Sequence, residues 1–149
     1  MNFKIFLENL EAYSKDVRQS IKKLPKKHAD LIKGYKIKFE PNNTLKKDKK
    51  HVGFIDEEKK TITIAAPWNY GRNFTLLHEI AHAVWKYLGE EKKKEWKELF
   101  LREKKKMKNK SLNQNYEEIF AMAYANFYSK HKLLTYENKS WNKFIKSIS

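Results

Sequence analysis

Two histidines and a glutamate, His78, Glu79 and His82, fall in the order H-E-x-x-H within the apolar run Phe74-Thr75-Leu76-Leu77-His78-Glu79-Ile80-Ala81-His82-Ala83-Val84-Trp85. The run reads as a helix. Four residues of helix advance about 400°, so the two imidazoles stand one turn apart on one face and can each send a nitrogen to a single cation. That is half of a zinc site. Glu79 lies beside the pair rather than on it, which suits a carboxylate that takes a proton from water instead of ligating the metal. Leu77, Ile80, Ala81 and Val84 pull the motif toward the interior, against the blander picture of two surface histidines on a core helix.

A catalytic zinc needs a third protein ligand and an open position for water. Glu117 and Glu118 open an otherwise nearly uncharged helix, Tyr116 to Tyr128. A carboxylate at the edge of an apolar stretch usually has a partner that justifies its burial. If Ile119, Met122, Ala123 and Ala125 or Asn126 line the core, Glu118 is the better placed of the two. Glu103 is the rival, set among Arg102, Lys104, Lys105 and Lys106 in what looks like a solvated face. His51 and His131 are weaker options, each read as an ordinary loop or surface histidine. His28, beside two lysines, is read as a surface residue.

The elements that must position these groups follow from periodicity. From Phe3 the apolar residues Phe6, Leu7, Leu10, Val17, Ile21 and Leu24 recur at helical spacing, and Pro25 ends that helix. A second short helix runs from Pro25 through Ala29, Leu31 and Ile32 to Gly34. Tyr35, Ile37 and Phe39 then alternate with lysines as in a half-buried strand. Pro41-Asn42-Asn43 and the lysines to Lys50 form a polar loop. Val52 to Ile55 and Thr61 to Ile64 flank a charged turn and read as a hairpin. Asn73 or Thr75 is the expected cap of the motif helix and Gly89 its stop. Glu90 to Lys110 is a charged helix with Trp96, Leu99, Phe100 and Met107 on its apolar side; Trp141, Phe144, Ile145 and Ile148 mark a closing one.

Bulk properties narrow the function classes. At 149 residues the chain is one domain by size. It holds no cysteine, which excludes disulfides, thiolate zinc sites and cysteine nucleophiles. No stretch is long and apolar enough to span a membrane, and the N-terminus breaks into charge too early for a signal peptide, so the expected location is cytoplasmic, a secreted mature form remaining open. The net charge of +15 is carried almost wholly by scattered lysines, with only Arg18, Arg72 and Arg102 as arginines. Base reading and phosphate clamping favour arginine's planar fork, so no specific nucleic-acid partner is expected. The basic surface points weakly to acidic substrates or partners.

A small sheet, the H-E-x-x-H helix and the later Glu118-Ile119-Phe120-Ala121-Met122-Ala123-Tyr124 together resemble the catalytic domain of anthrax lethal factor and the Pro-Pro endopeptidases. In that family the later helix carries a glutamate followed by an aromatic-alanine-x-alanine-aromatic pattern. The resemblance spans Tyr35 to the C-terminus and implies zinc (Zn2+) held by His78, His82 and Glu118, with Glu79 as general base. Two positions depart from it. Met122 stands where the family has an acidic residue, and Ser111 where it has an oxyanion-steadying tyrosine. Tyr116 lies about 200° around the helix from Glu118 and cannot substitute; Tyr70 or Tyr136 would have to reach in from loops. The chain is also similar to intracellular repressor-cleaving metallopeptidases of the ImmA/IrrE type, although its Ala125-Asn126 comes seven residues after Glu118.

The expected fold is therefore α+β and zincin-like. It comprises N-terminal helices, a small, mostly antiparallel sheet of about three to four strands, the H-E-x-x-H helix and a C-terminal helix bearing the glutamate. One domain, 1–149, would divide into a helical part at 1–34, a sheet at 35–66 and a helical part with the site at 73–149. The expected activity is zinc-dependent hydrolysis of peptide bonds in a peptide or protein substrate laid along the sheet edge, with Thr61 to Ala66 as the candidate edge. The alternatives are a zincin-fold binding module with little or no turnover and an ImmA/IrrE-type protease.

Overall fold

Alternation at Lys36–Phe39 leaves the two lysines exposed and turns Ile37 and Phe39 inward, which makes this segment strand β1. Strands β2, Gly53–Asp56, and β3, Thr61–Ile64, form the expected hairpin. Its turn is fastened by Asp56 Oδ1, which accepts from the Lys59 amide at 3.0 Å. This computed structural model describes residues 19, 21–39, 53–65, 69–106, 115–129 and 132–149, without the side chains of residues 69, 70 and 72. Most of the expected first helix, the loop 41–50, His51, Met107, Ser111, His131 and the Tyr70 side chain lie outside the described residues. Ile21 and Leu24, the last apolar positions of that first helix, are buried.

The sheet order is β1-β3-β2, with β1 parallel to β3 and β2 antiparallel to it. The sheet is thus mixed, not mostly antiparallel. Alternation says which face of β1 is buried but not which way its neighbour runs. The order also puts β3 in the middle, where Ile62, Thr63 and Ile64 are all buried. Among the described residues the sheet edges are β1 and β2, so Thr61 to Ala66 is not the edge.

The remainder is helical: α1, Lys26–Leu31; α2, Asn69–Tyr87; α3, Glu90–Lys104; α4, Tyr116–Tyr128; and α5, Lys139–Ser147, with a 3-10 turn at Leu134–Tyr136. The motif helix α2 starts earlier than its sequence suggests. Asn73 and Thr75 are buried inside it rather than capping it, and Gly71 is absorbed in its first turn, where a glycine interrupts few hydrogen bonds. Gly89 is extended (φ −65°) and forms the N-cap of α3 instead of a left-handed stop for α2.

Helix α2 packs chiefly on α4 and on β2 and β3. Leu76, Leu77, Ile80, Ala81, Ala83 and Val84 on α2 are buried, as are Ile119, Phe120, Ala121, Ala123 and Ala125 on α4; three of the latter are alanines, which let the two backbones approach closely. Gly53 does the same for the sheet. A Cβ there would lie 2.6 Å from Thr75 Cγ2 and 3.1 Å from Thr63 O, so only glycine lets β2 lie flat against the motif helix. On the other side of α4, Trp96 of α3 packs edge-on to Phe120 (centroids 5.6 Å) and against Trp141 and Phe144 of α5. The Trp96 indole also donates to Tyr116 O at 2.9 Å, which pins the first turn of α4.

Two polar residues are not where their neighbours in sequence suggest. His28 is 3% exposed, with Nε2 2.9 Å from Ile148 O and Nδ1 2.9 Å from Tyr124 Oη. A carbonyl can only accept, so the neutral ring donates through Nε2 and accepts the Tyr124 hydroxyl at Nδ1. It is a core histidine that ties α1 to α4 and to the end of the chain. Glu103 is likewise buried rather than solvated, hydrogen-bonded to the side chains of Ser140 and Asn138 at the start of α5.

Candidate metal centre

The side chains of His78 and His82 leave α2 from successive turns, and the first turn of α4 crosses in front of them. That turn is set by its cap: Asn115 Oδ1 accepts from the Glu118 amide at 2.8 Å, one of the donors that every helix start leaves unpaired. With the Trp96–Tyr116 bond, the cap fixes the rotation of α4 and with it the direction of both glutamates.

Glu118 faces both histidines. Its Oε1 lies 3.0 Å from His82 Nε2 and its Oε2 3.3 Å from His78 Nε2, while the two Nε2 atoms are 3.2 Å apart. Ligand atoms of His78, His82 and Glu118 all lie within 4.8 Å of one another. Donors on a tetrahedron around an ion at about 2.0–2.1 Å stand about 3.3–3.4 Å apart, so the spacings suit a small cation. Glu103 is not part of this group, because its helix turns it toward α5.

Glu117 points to the back of His82, its Oε2 2.5 Å from Nδ1. Burial works against charge on His82, but the carboxylates of Glu118 and Glu117 outweigh it and the pKa is pushed up to about 9. His78 first, and then His82, hold the Glu118 carboxyl well below the usual carboxylate range. His78 Nδ1 is buried with no hydrogen-bond partner among the described residues. An orphaned buried nitrogen is uncommon in a native structure, and here it belongs to a ring whose other nitrogen faces the cluster.

These groups form the floor of a cleft of about 590 Å³. Gly53, Phe54 and Ile55 of β2 line one wall, with Glu57 on the hairpin turn; Trp85 and Lys86 of α2 and Lys93 of α3 lie beyond His82. Glu79 also lines the cleft, at 6% exposure. The histidine side chains are 15% exposed and Glu118 is 37% exposed, so the cluster is walled in behind and open on the glutamate side. Four carboxylates, Glu57, Glu79, Glu117 and Glu118, face two lysines in the lining, so the excess of lysine lies elsewhere on the surface.

Tyr116 packs on Phe100 (centroids 5.7 Å) and does not line the cleft, as its helical offset from Glu118 requires. Burial, and then the nearby Glu118 charge, raise the pKa of Tyr136. No tyrosine is among the cleft-lining residues described. Sequence reasoning missed Glu117 as the partner of His82 and the β2 wall; the only local sign of the first was a pair of acids at a helix start. Among the described residues no helix is long and apolar enough to cross a membrane. Comparison of the chain with protein-family models, with curated proteins and with solved structures finds no match.

Proposed function

We propose that this protein is a zinc-dependent endopeptidase of zincin type, with His78, His82 and Glu118 as metal ligands and Glu79 as the general base. The observation that carries the proposal is the convergence of two Nε2 atoms and one carboxylate, at 3.0 to 3.3 Å, on the floor of an open cleft. The donor set of two imidazoles and one carboxylate is that of hydrolytic zinc, whereas structural zinc favours four protein ligands and cysteine, which this chain lacks. Zinc held there would supply Lewis acidity to a water molecule and to the scissile carbonyl.

The chain's own residues account for the rest. Glu79, buried at the cleft floor, accepts the proton of the attacking water and passes it to the departing amine. Among the described residues strand β2 has an unpaired edge on the cleft wall, along which an extended peptide can add as a further strand. Phe54, 43% exposed, then presents an apolar contact to one of its side chains. Four acidic groups against two lysines, Lys86 and Lys93, give the described lining an acidic balance.

A second reading, a metal-binding module without turnover, is favoured by one observation: no tyrosine hydroxyl lines the described cleft to steady an oxyanion. A diverse peptide library incubated with the zinc-loaded protein separates the two. The endopeptidase reading expects internal cleavage that stops on chelation and returns with added zinc. Stoichiometric zinc binding with no cleaved peptide would leave the binding module.

A further inference from the structure

The geometry points to Glu117 as the positioning residue of the centre: it holds His82 so that Nε2, and not Nδ1, is offered to the metal. The inference rests on the reading of His78, His82 and Glu118 as ligands. An ionised carboxylate can only accept, so the nitrogen 2.5 Å from Glu117 Oε2 must carry its proton. By the same rule Nε2, 3.0 Å from Glu118 Oε1 and 3.2 Å from His78 Nε2, carries the other proton of the metal-free ring, and it is this proton, on the side facing the cluster, that a cation would displace, leaving the Nε2 lone pair for the metal. Without the bond the imidazole is free to turn about χ2 or to change tautomer, and either takes the lone pair out of the cluster. A carboxylate partner also makes the imidazole a stronger donor to the metal.

The two adjacent acids of α4 thus divide the work. About 100° of helix separates them, so one reaches the inner nitrogen of His82 and the other its outer nitrogen. The Asn115 cap and the Trp96–Tyr116 bond set both at once. His78 is held differently. Its Nδ1 has no hydrogen-bond partner among the described residues, and its ring is 15% exposed with Nε2 3.3 Å from Glu118 Oε2. Among the described residues the site is therefore asymmetric, with a carboxylate at Nδ1 of His82 and none at Nδ1 of His78.

The test is zinc affinity by chelator competition for wild type, Glu117→Ala and Glu117→Gln, with proton NMR of the ring N–H groups of the zinc-loaded proteins. Expected is a 10- to 100-fold weaker Kd for Glu117→Ala, as for loss of other outer partners of metal ligands, and a smaller loss for glutamine, whose amide oxygen can still accept. The His82 Nδ1–H should give a resonance slow to exchange with water in wild type, absent in Glu117→Ala and retained in Glu117→Gln, a signature that a purely structural role would not move. Should Glu117→Ala fail to fold, the glutamine variant decides alone, by a Kd weaker than wild type with the resonance kept. Wild-type affinity with the resonance still present in folded Glu117→Ala, or, where that variant does not fold, wild-type affinity in Glu117→Gln, overturns the role of Glu117 while leaving the zinc centre standing. No zinc binding by wild type overturns both.

Discussion

Replacing Glu118 by alanine removes one of three proposed ligands and little else. The cap on α4 uses the backbone amide of residue 118, and the side chain itself is 37% exposed, so the helix start survives the change. Zinc held by four protein ligands is bound with ~10–16 kcal/mol, or about 2.5–4 kcal/mol per ligand, so the variant should bind roughly 10²- to 10³-fold more weakly. At a free zinc concentration of ~100 times the wild-type Kd, wild type gains about 2.7 kcal/mol of stability, and the variant under about 0.4 kcal/mol. For a chain of this length ~1 kcal/mol is about 2–4 °C in Tm, so zinc should raise the wild-type midpoint by about 5–11 °C and that of Glu118→Ala by less than about 2 °C. The assay is thermal unfolding by circular dichroism, each protein with and without zinc. Any stability the metal-free variant has lost then cancels from the comparison. An equal zinc-induced shift in both proteins would refute the reasoning, and loss of the shift in Glu103→Ala instead would move the third ligand to α3.

Glu79→Gln should bind zinc within a few-fold of wild type yet lose about 10²- to 10⁴-fold in peptide cleavage; cleavage that survives the change rules out Glu79 as base. Glu103→Ala should lower the urea midpoint by the equivalent of about 1 kcal/mol, because its carboxylate supports the start of α5 through Ser140 and Asn138, and should leave zinc affinity unchanged. Burial, assisted by Lys27 and opposed by the bond to Ile148, lowers the pKa of His28 below its ordinary 6.5. The unfolded chain therefore takes up a proton that the folded chain refuses, and this part of the stability is full above about pH 6.5, falls as pH drops below it, and levels off beneath the folded pKa. Urea midpoints between about pH 7 and 5.5 should decline less in metal-free His28→Gln than in metal-free wild type, and parallel declines would contradict the burial argument.

Much of this molecule is local in origin, and local features are what a sequence displays. The H-E-x-x-H spacing puts His78 and His82 on one helix face whatever surrounds the helix, because 3.6 residues per turn is a backbone property. The strand alternation around Ile37, the hairpin at 53–64 and the apolar stripes of Trp96 and Phe100 and of Trp141, Phe144 and Ile145 are likewise set by which side chains avoid water. Only tertiary structure decides what each buried face is buried against. The direction of β1 relative to β3 depends on the route of the chain between them. His28 and Glu103 look solvated beside their lysines, and become buried because Tyr124, Ile148 and the start of α5 arrive from distant parts of the chain. Glu118 was legible as the third corner from the apolar face that follows it. Glu117 was not, because its partnership with His82 depends on how α4 is rotated against α2. That rotation is set by Asn115, Trp96 and a row of alanines acting together, and no spacing within the chain encodes it.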